Sequence, residues 1–124
     1  MTQLSLALLV LCTSRMEASL AFYRAVGLLL VEEKHGSGPV HYSCQMGDTV
    51  VEIYPGAAHE ILDYRNGGAA MPGFNVASLE TVLTAIEQTG APILTAPRTT
   101  VWGRRAVVQD PDGRAVELNE PPQT

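Results

Sequence analysis

Apolar and polar positions along the 124 residues run through the same sequence of patterns twice. Leu4 to Cys12 is an almost unbroken apolar run, the pattern of a strand covered on both faces. Ser14-Arg15-Met16-Glu17 then has the spacing of a capping box, and Met16, Leu20 and Tyr23 fall on one face of the helix it would start. Gly27 supplies the stop, because glycine takes the left-handed turn there without steric penalty. Leu28 to Glu32 reads as the next strand, and His35-Gly36-Ser37-Gly38 as a loop. Val40 to Met46 and Thr49 to Tyr54 form a hairpin around Gly47-Asp48.

The second half repeats this order. Met71 to Val76 is a strand, Ser78 caps a helix that runs through Thr89 to Gly90, Ile93 to Thr95 is a short edge strand, and a hairpin closes around Asp110-Pro111-Asp112-Gly113. A near-constant offset links Leu8 to Met71, Met16 to Leu79, Gly27 to Gly90 and Glu52 to Glu117. The chain therefore reads as one α+β domain over residues 1–124, built from two tandem βαβββ modules. Module one covers about 1–55, a surface linker rich in glycine and alanine about 56–69, and module two about 70–121. Together they are expected to form a cup-shaped mixed sheet with the helices outside.

Strand alternation assigns the hairpin residues to faces. With Gly47-Asp48 at the turn, Ser43 lies opposite Glu52, and one face carries His41, Ser43, Gln45, Val50, Glu52 and Tyr54. The other carries Tyr42, Cys44, Met46, Val51 and Ile53, and suits a covering helix. By the same rule the second hairpin offers Arg105, Val107, Gln109, Ala115, Glu117 and Asn119 to the inside of the cup. Leu8, Met71 and Asn75, from the first strand of each module, complete the expected lining. A slip of one residue would reverse every one of these assignments.

Composition narrows the partners. With 46% apolar residues the chain can bury a core of its own. A net charge of −5 and a pI near 5.0 argue against nucleic acid or an anionic membrane as partner. The apolar start has no basic region before it and no small-residue cleavage site after it, so it does not read as a signal peptide, and it is too short to cross a bilayer. Cys12 and Cys44 read as free core thiols in a reducing cytoplasm.

Several residues have two readings. Glu52 and Glu117 are either half-exposed strand residues or paired cup residues, and their matching repeat positions favour the cup. Arg105 is either a cation between them or a solvated strand-end residue. His41 is a general base, a ligand group or a hydrogen-bonded structural histidine; His35 and His59 read as surface loop residues. Trp102-Gly103 is a stacking wall for a planar ligand or a loop anchor, and Tyr54 shares that reading. Gly36-Ser37-Gly38 lacks the lysine and helix start of a phosphate loop. No serine or cysteine stands beside a histidine–acid pair, which argues against a nucleophilic hydrolase.

Ser19-Leu20-Ala21-Phe22-Tyr23-Arg24 with Gly27-Leu28, and Asp110-Pro111-Asp112-Gly113 running into Val116-Glu117-Leu118, resemble the vicinal-oxygen-chelate superfamily. Its members include glyoxalase I, bleomycin resistance proteins, fosfomycin resistance enzymes and extradiol dioxygenases. In its metalloenzymes, histidines on the first strands join glutamates on the last strands around a divalent ion. The glutamate positions match Glu52 and Glu117, but the histidine positions fall on Leu8 and Met71. Leucine has no lone pair, and a thioether is a soft, weak ligand.

The resemblance therefore implies no metal at that place and no cofactor. It points to a small-molecule binder like the bleomycin-resistance branch, with an antibiotic or toxic metabolite as ligand. The alternative is an enzyme: a metal-dependent lyase, isomerase or dioxygenase using Glu52, Glu117 and His41, or an epimerase with a glutamate base. Because members close the cup within one chain or by exchanging modules between two, the resemblance also implies a homodimer.

Overall fold

Within the described residues of this computed structural model, 4–56 and 70–123, each half of the chain lays one helix against one four-stranded sheet. The predicted linker beyond Gly56, and His59 with it, lies outside them. Module one comprises β1 (Leu8–Thr13), α1 (Met16–Val26), β2 (Val31–Glu33), β3 (His41–Met46) and β4 (Thr49–Pro55). Module two comprises β5 (Gly73–Asn75), α2 (Leu79–Gln88), β6 (Ile93–Thr100), β7 (Gly103–Gln109) and β8 (Ala115–Glu120).

The sheets run β1-β4-β3-β2 and β5-β8-β7-β6. In each, the first and last strands of the module pair in parallel and the other neighbours are antiparallel. The tandem α+β architecture is as the sequence pattern predicts. Both hairpin registers also agree: Ser43 lies opposite Glu52, and Val107 opposite Glu117.

Some local expectations are corrected. β1 is covered on one face only: Leu11 and Thr13 are buried, while Leu8, Val10 and Cys12 are exposed. An apolar run shows that both faces avoid charge, not that both are covered. Cys12 is accordingly no core thiol, whereas Cys44 is buried. β2 and β5 are shorter than predicted, although Leu28, Leu30 and Val76 beside them still enter the core. β6 is longer and breaks register twice, between Ile93 and Thr95 and between Thr95 and Arg98, the second across Pro97, which has no N–H to give its neighbour.

The predicted capping box does not form at α1, whose N-cap is Arg15 with no side-chain cap bond. The β1 terminus takes over that role. The Arg15 N–H donates to Thr13 Oγ1 at 3.0 Å, the Thr13 and Ser19 hydroxyls meet at 2.7 Å, and Ser19 donates to Asp112 at 3.4 Å. At α2 the expected cap is present: Ser78 Oγ accepts from the Thr81 N–H at 3.3 Å. Glu120 adds a carboxylate there, accepting from the Leu79 N–H at 2.7 Å, where the positive end of the helix favours it.

α1 packs on α2, and Tyr23 meets Phe74 edge-on across the modules. The Asp110–Arg114 turn fastens the junction. Asp110, buried, accepts from the Tyr23 hydroxyl at 2.6 Å, from the Asp112 and Arg114 N–H groups at 3.0 and 2.9 Å, and from Arg114 Nη1 at 3.1 Å. Arg114 Nη2 then donates to the Cys12 carbonyl at 2.7 Å. A buried carboxylate is tolerated when its lone pairs are satisfied in this way. Among the described residues no helix is long and apolar enough to cross a membrane.

Candidate functional site

Because the helices cover one face of each sheet, the opposite faces carry the predicted lining residues, in two groups. On module one, β3 and β4 set His41, Ser43, Glu52 and Tyr54 side by side. Leu8, 50% exposed, stands in β1 on the neighbouring strand. The His41 imidazole is stacked on the Tyr54 ring, centroids 4.2 Å apart and planes 7° from parallel, and is 1% exposed. Partial burial, then the negative charges of Glu52 and Glu33, raise the Tyr54 phenol above its ordinary pKa. Gln45 is turned to its own hairpin, donating to the Gly47 carbonyl at 2.7 Å.

His41 is held by the chain around it. Its Nδ1 lies 3.2 Å from the Pro39 carbonyl, and its Nε2 lies 3.6 Å from both Glu33 and Glu52. His35, in an exposed loop as expected, has its ring 5.2 Å from the His41 ring. Glu33 was not among the residues singled out from sequence. The available signal was strand pairing, since β2 runs back along β3 and sets Glu33 directly opposite His41.

On module two, Arg105 forms an ion pair with Glu117, both partly buried, and its guanidinium lies over the Trp102 ring, 5.7 Å from the centroid. Arg105 is thus the partner of a cup glutamate and not a solvated strand end. Asn119 Nδ2 donates to Asn75 Oδ1 at 3.1 Å and to the Trp102 carbonyl at 3.2 Å. With Gly73 and Phe74 these residues line an open concavity of about 400 Å³, one wall of which is Trp102, 66% exposed. A second hollow of about 290 Å³ lies on the other side of the ion pair, against Met71, Thr95, Arg98 and Val107. Gly103 sits at φ +125°, where an added Cβ would collide with the Glu120 carbonyl, so the turn that presents Trp102 requires glycine.

The face residues of each module are therefore brought together, but Glu52 and Glu117 stand on different sheets. Of these two glutamates, the one beside His41 is Glu52.

Residues 5–118 match the family model described as the Glyoxalase/Bleomycin resistance protein/Dioxygenase superfamily. The chain belongs to that superfamily. No curated protein matches it in a sequence comparison. Solved structures of glyoxalase-superfamily proteins share its fold at low identity. One is TnmS3, an antibiotic binding protein from Streptomyces sp. CB03234: 22% identity, TM-score 0.69, covering 98% of this chain and 99% of that one. Another is a variant of the fosfomycin resistance protein FosX from Listeria monocytogenes, in complex with Mn(II) and 1S,2S-dihydroxypropylphosphonic acid: 18% identity, TM-score 0.71, covering 98% and 93%. A glyoxalase/dioxygenase from Nostoc punctiforme gives 20% identity and a TM-score of 0.74 over 96% and 92%. The fold thus occurs in an antibiotic binding protein and in a resistance protein solved with Mn(II), so the fold alone does not decide what this chain does.

Proposed function

We propose that this superfamily member binds a small organic molecule in a cup with no metal ion at the position occupied in its metalloenzyme relatives. The observation that carries the reading is the Arg105–Glu117 ion pair beneath Trp102. A carboxylate that could serve as a hard ligand is already committed to a guanidinium; the residues paired with the two glutamates are Val10 and Gly73, and two positions before them Leu8 has no lone pair and Met71 only a weak thioether. What the module-two face offers instead is an exposed indole for stacking, the Asn75–Asn119 amides for orientation, and apolar area worth about 25 cal/mol per Å² when covered. The likeness to an antibiotic binding protein supports this choice.

The same reading makes the functional unit a homodimer, with the module-two face of one copy and the module-one face of another closing one cup. It also sets the protein in the reducing cytoplasm, where Cys12 and Cys44 stay unpaired. Calorimetry against a panel of cationic and amide-rich natural-product antibiotics tests the binding. Trp102→Ala and Glu117→Ala are each expected to weaken it tenfold or more, and equal affinity in both variants overturns the assignment.

A metal-dependent lyase, isomerase or dioxygenase is the second reading, favoured by His41 Nε2 lying 3.6 Å from Glu52. It requires Glu117 as a ligand. Loss of a stoichiometric ion in Glu117→Gln would support the enzyme; retention, or no ion in either protein, supports the binder.

A further inference from the structure

We infer that Glu33, His35 and His41 form a binding site for one divalent transition-metal ion of the zinc class, at the β2–β3 edge of the module-one sheet. The position is distinct from the one usual in the superfamily, because all three ligands lie on β2, β3 and the loop between them, and none on a first or last strand. Their donor atoms lie within 4.8 Å of one another.

The decisive group is His41 Nε2. A carbonyl oxygen can only accept, so the contact with Pro39 places a proton on Nδ1. In the neutral ring Nε2 is then a bare lone pair. It is buried, has no hydrogen-bond partner among the described residues, and faces two carboxylates, Glu33 and Glu52, at 3.6 Å each. Acceptors converging with no hydrogen between them repel, and the arrangement calls for a cation. A shared proton fits poorly, because N–H···O bonds are about 2.7–3.2 Å long. An ion about 2.0–2.1 Å from each of two donors in a tetrahedron separates them by roughly 3.3 Å, close to the 3.6 Å between His41 Nε2 and Glu33.

The surroundings match those of a metal-ligating imidazole. The ring is oriented by a backbone carbonyl on its other nitrogen and pinned by stacking on Tyr54, the kind of outer support that fixes tautomer and direction. Two imidazole nitrogens and a carboxylate suit zinc, nickel or cobalt better than calcium or magnesium. His35 is exposed, which leaves the fourth position open to water or to a ligand's oxygen, with Glu52 beside it as a further negative group.

Calorimetric titration of chelator-treated, tag-free protein with zinc chloride tests the site, with cobalt(II) absorption reporting coordination. One ion per chain is expected, and because His41 is buried, the decisive variants are those at the more accessible Glu33 and His35. Glu33→Gln and His35→Ala are each expected to weaken zinc at least tenfold, while the α2 surface variant Glu87→Gln leaves it unchanged. A dissociation constant weaker than about 0.1 mM, or affinity untouched by both decisive variants, overturns the site. The site and the small-molecule reading can fail separately, since the first is read with zinc alone and the second with organic ligands on Trp102 and Glu117 variants.

Discussion

Tyr23 shows how much of this protein rests on single buried polar contacts. Its hydroxyl donates to Asp110 across the module junction, and removing it leaves a buried carboxylate one donor short. Tyr23→Phe is expected to cost about 1–3 kcal/mol in urea denaturation. Burial first, and the Asp110 charge second, hold the Tyr23 phenol far above its ordinary value of 10.0 in the folded state. The unfolded chain releases that proton near pH 10 while the folded one keeps it. The stabilisation is therefore complete below pH 10 and falls above it, by about 1.4 kcal/mol per pH unit for this one group. Denaturation curves on either side of pH 10 should show a shallower decline for Tyr23→Phe than for the parent protein. At the same scale, the repeat placed Glu52 and Glu117 at matching strand positions, as the registers show, whereas the contact of Glu33 with His41 was not legible. That contact depends on the pairing of β2 with β3, and nothing in the residues next to Glu33 signals it.

The two helices carry similar start signals and use them differently. Ser78 caps α2 through the Thr81 N–H, so Ser78→Ala is expected to lower stability by about 1 kcal/mol. Ser14 makes no side-chain cap, because the end of β1 delivers Thr13 and, through it, Ser19 and Asp112 to the start of α1. Ser14→Ala should then change the denaturation midpoint by far less than Ser78→Ala, and an equal loss would show that the capping box forms after all. The sequence gives the spacing of a cap in both places, but a competing hydroxyl from the preceding strand decides which bond is made. The strands follow a similar rule. Their hairpin registers are set by turns that need φ above zero, at Gly47 and Gly113, and these are readable locally. Their lengths depend on neighbours, as the irregular pairing of β6 at Pro97 shows.

At the scale of the whole molecule, helix-to-helix packing and the Asp110–Arg114 clamp join the modules, and among the described residues no helix covers the faces that bear the candidate sites. Module one exposes a set of apolar residues on and beside β1 and β2: Leu6, Leu8, Val10 and Val31. A patch of that kind marks an interaction surface in a folded chain. The proposed homodimer makes it the interface, and Leu6→Glu combined with Val10→Glu is expected to give a monomer by light scattering with an unchanged circular dichroism spectrum. A dimer that survives both charges would place the contact elsewhere.

By itself the sequence determined the duplicated βαβββ order, the turns, the hairpin registers and the pairs of residues that share a strand face. Those follow from periods of 2 and 3.6 and from turn residues, which act over a few positions. Only the tertiary structure decided which face of β1 is covered, that Arg105 is committed to Glu117, that the Asp110 turn is a clamp to Tyr23, and that His41 meets Glu33 and His35. Each is a contact set by how helices dock and strands pair, and side-chain periodicity carries no information about partners that distant along the chain.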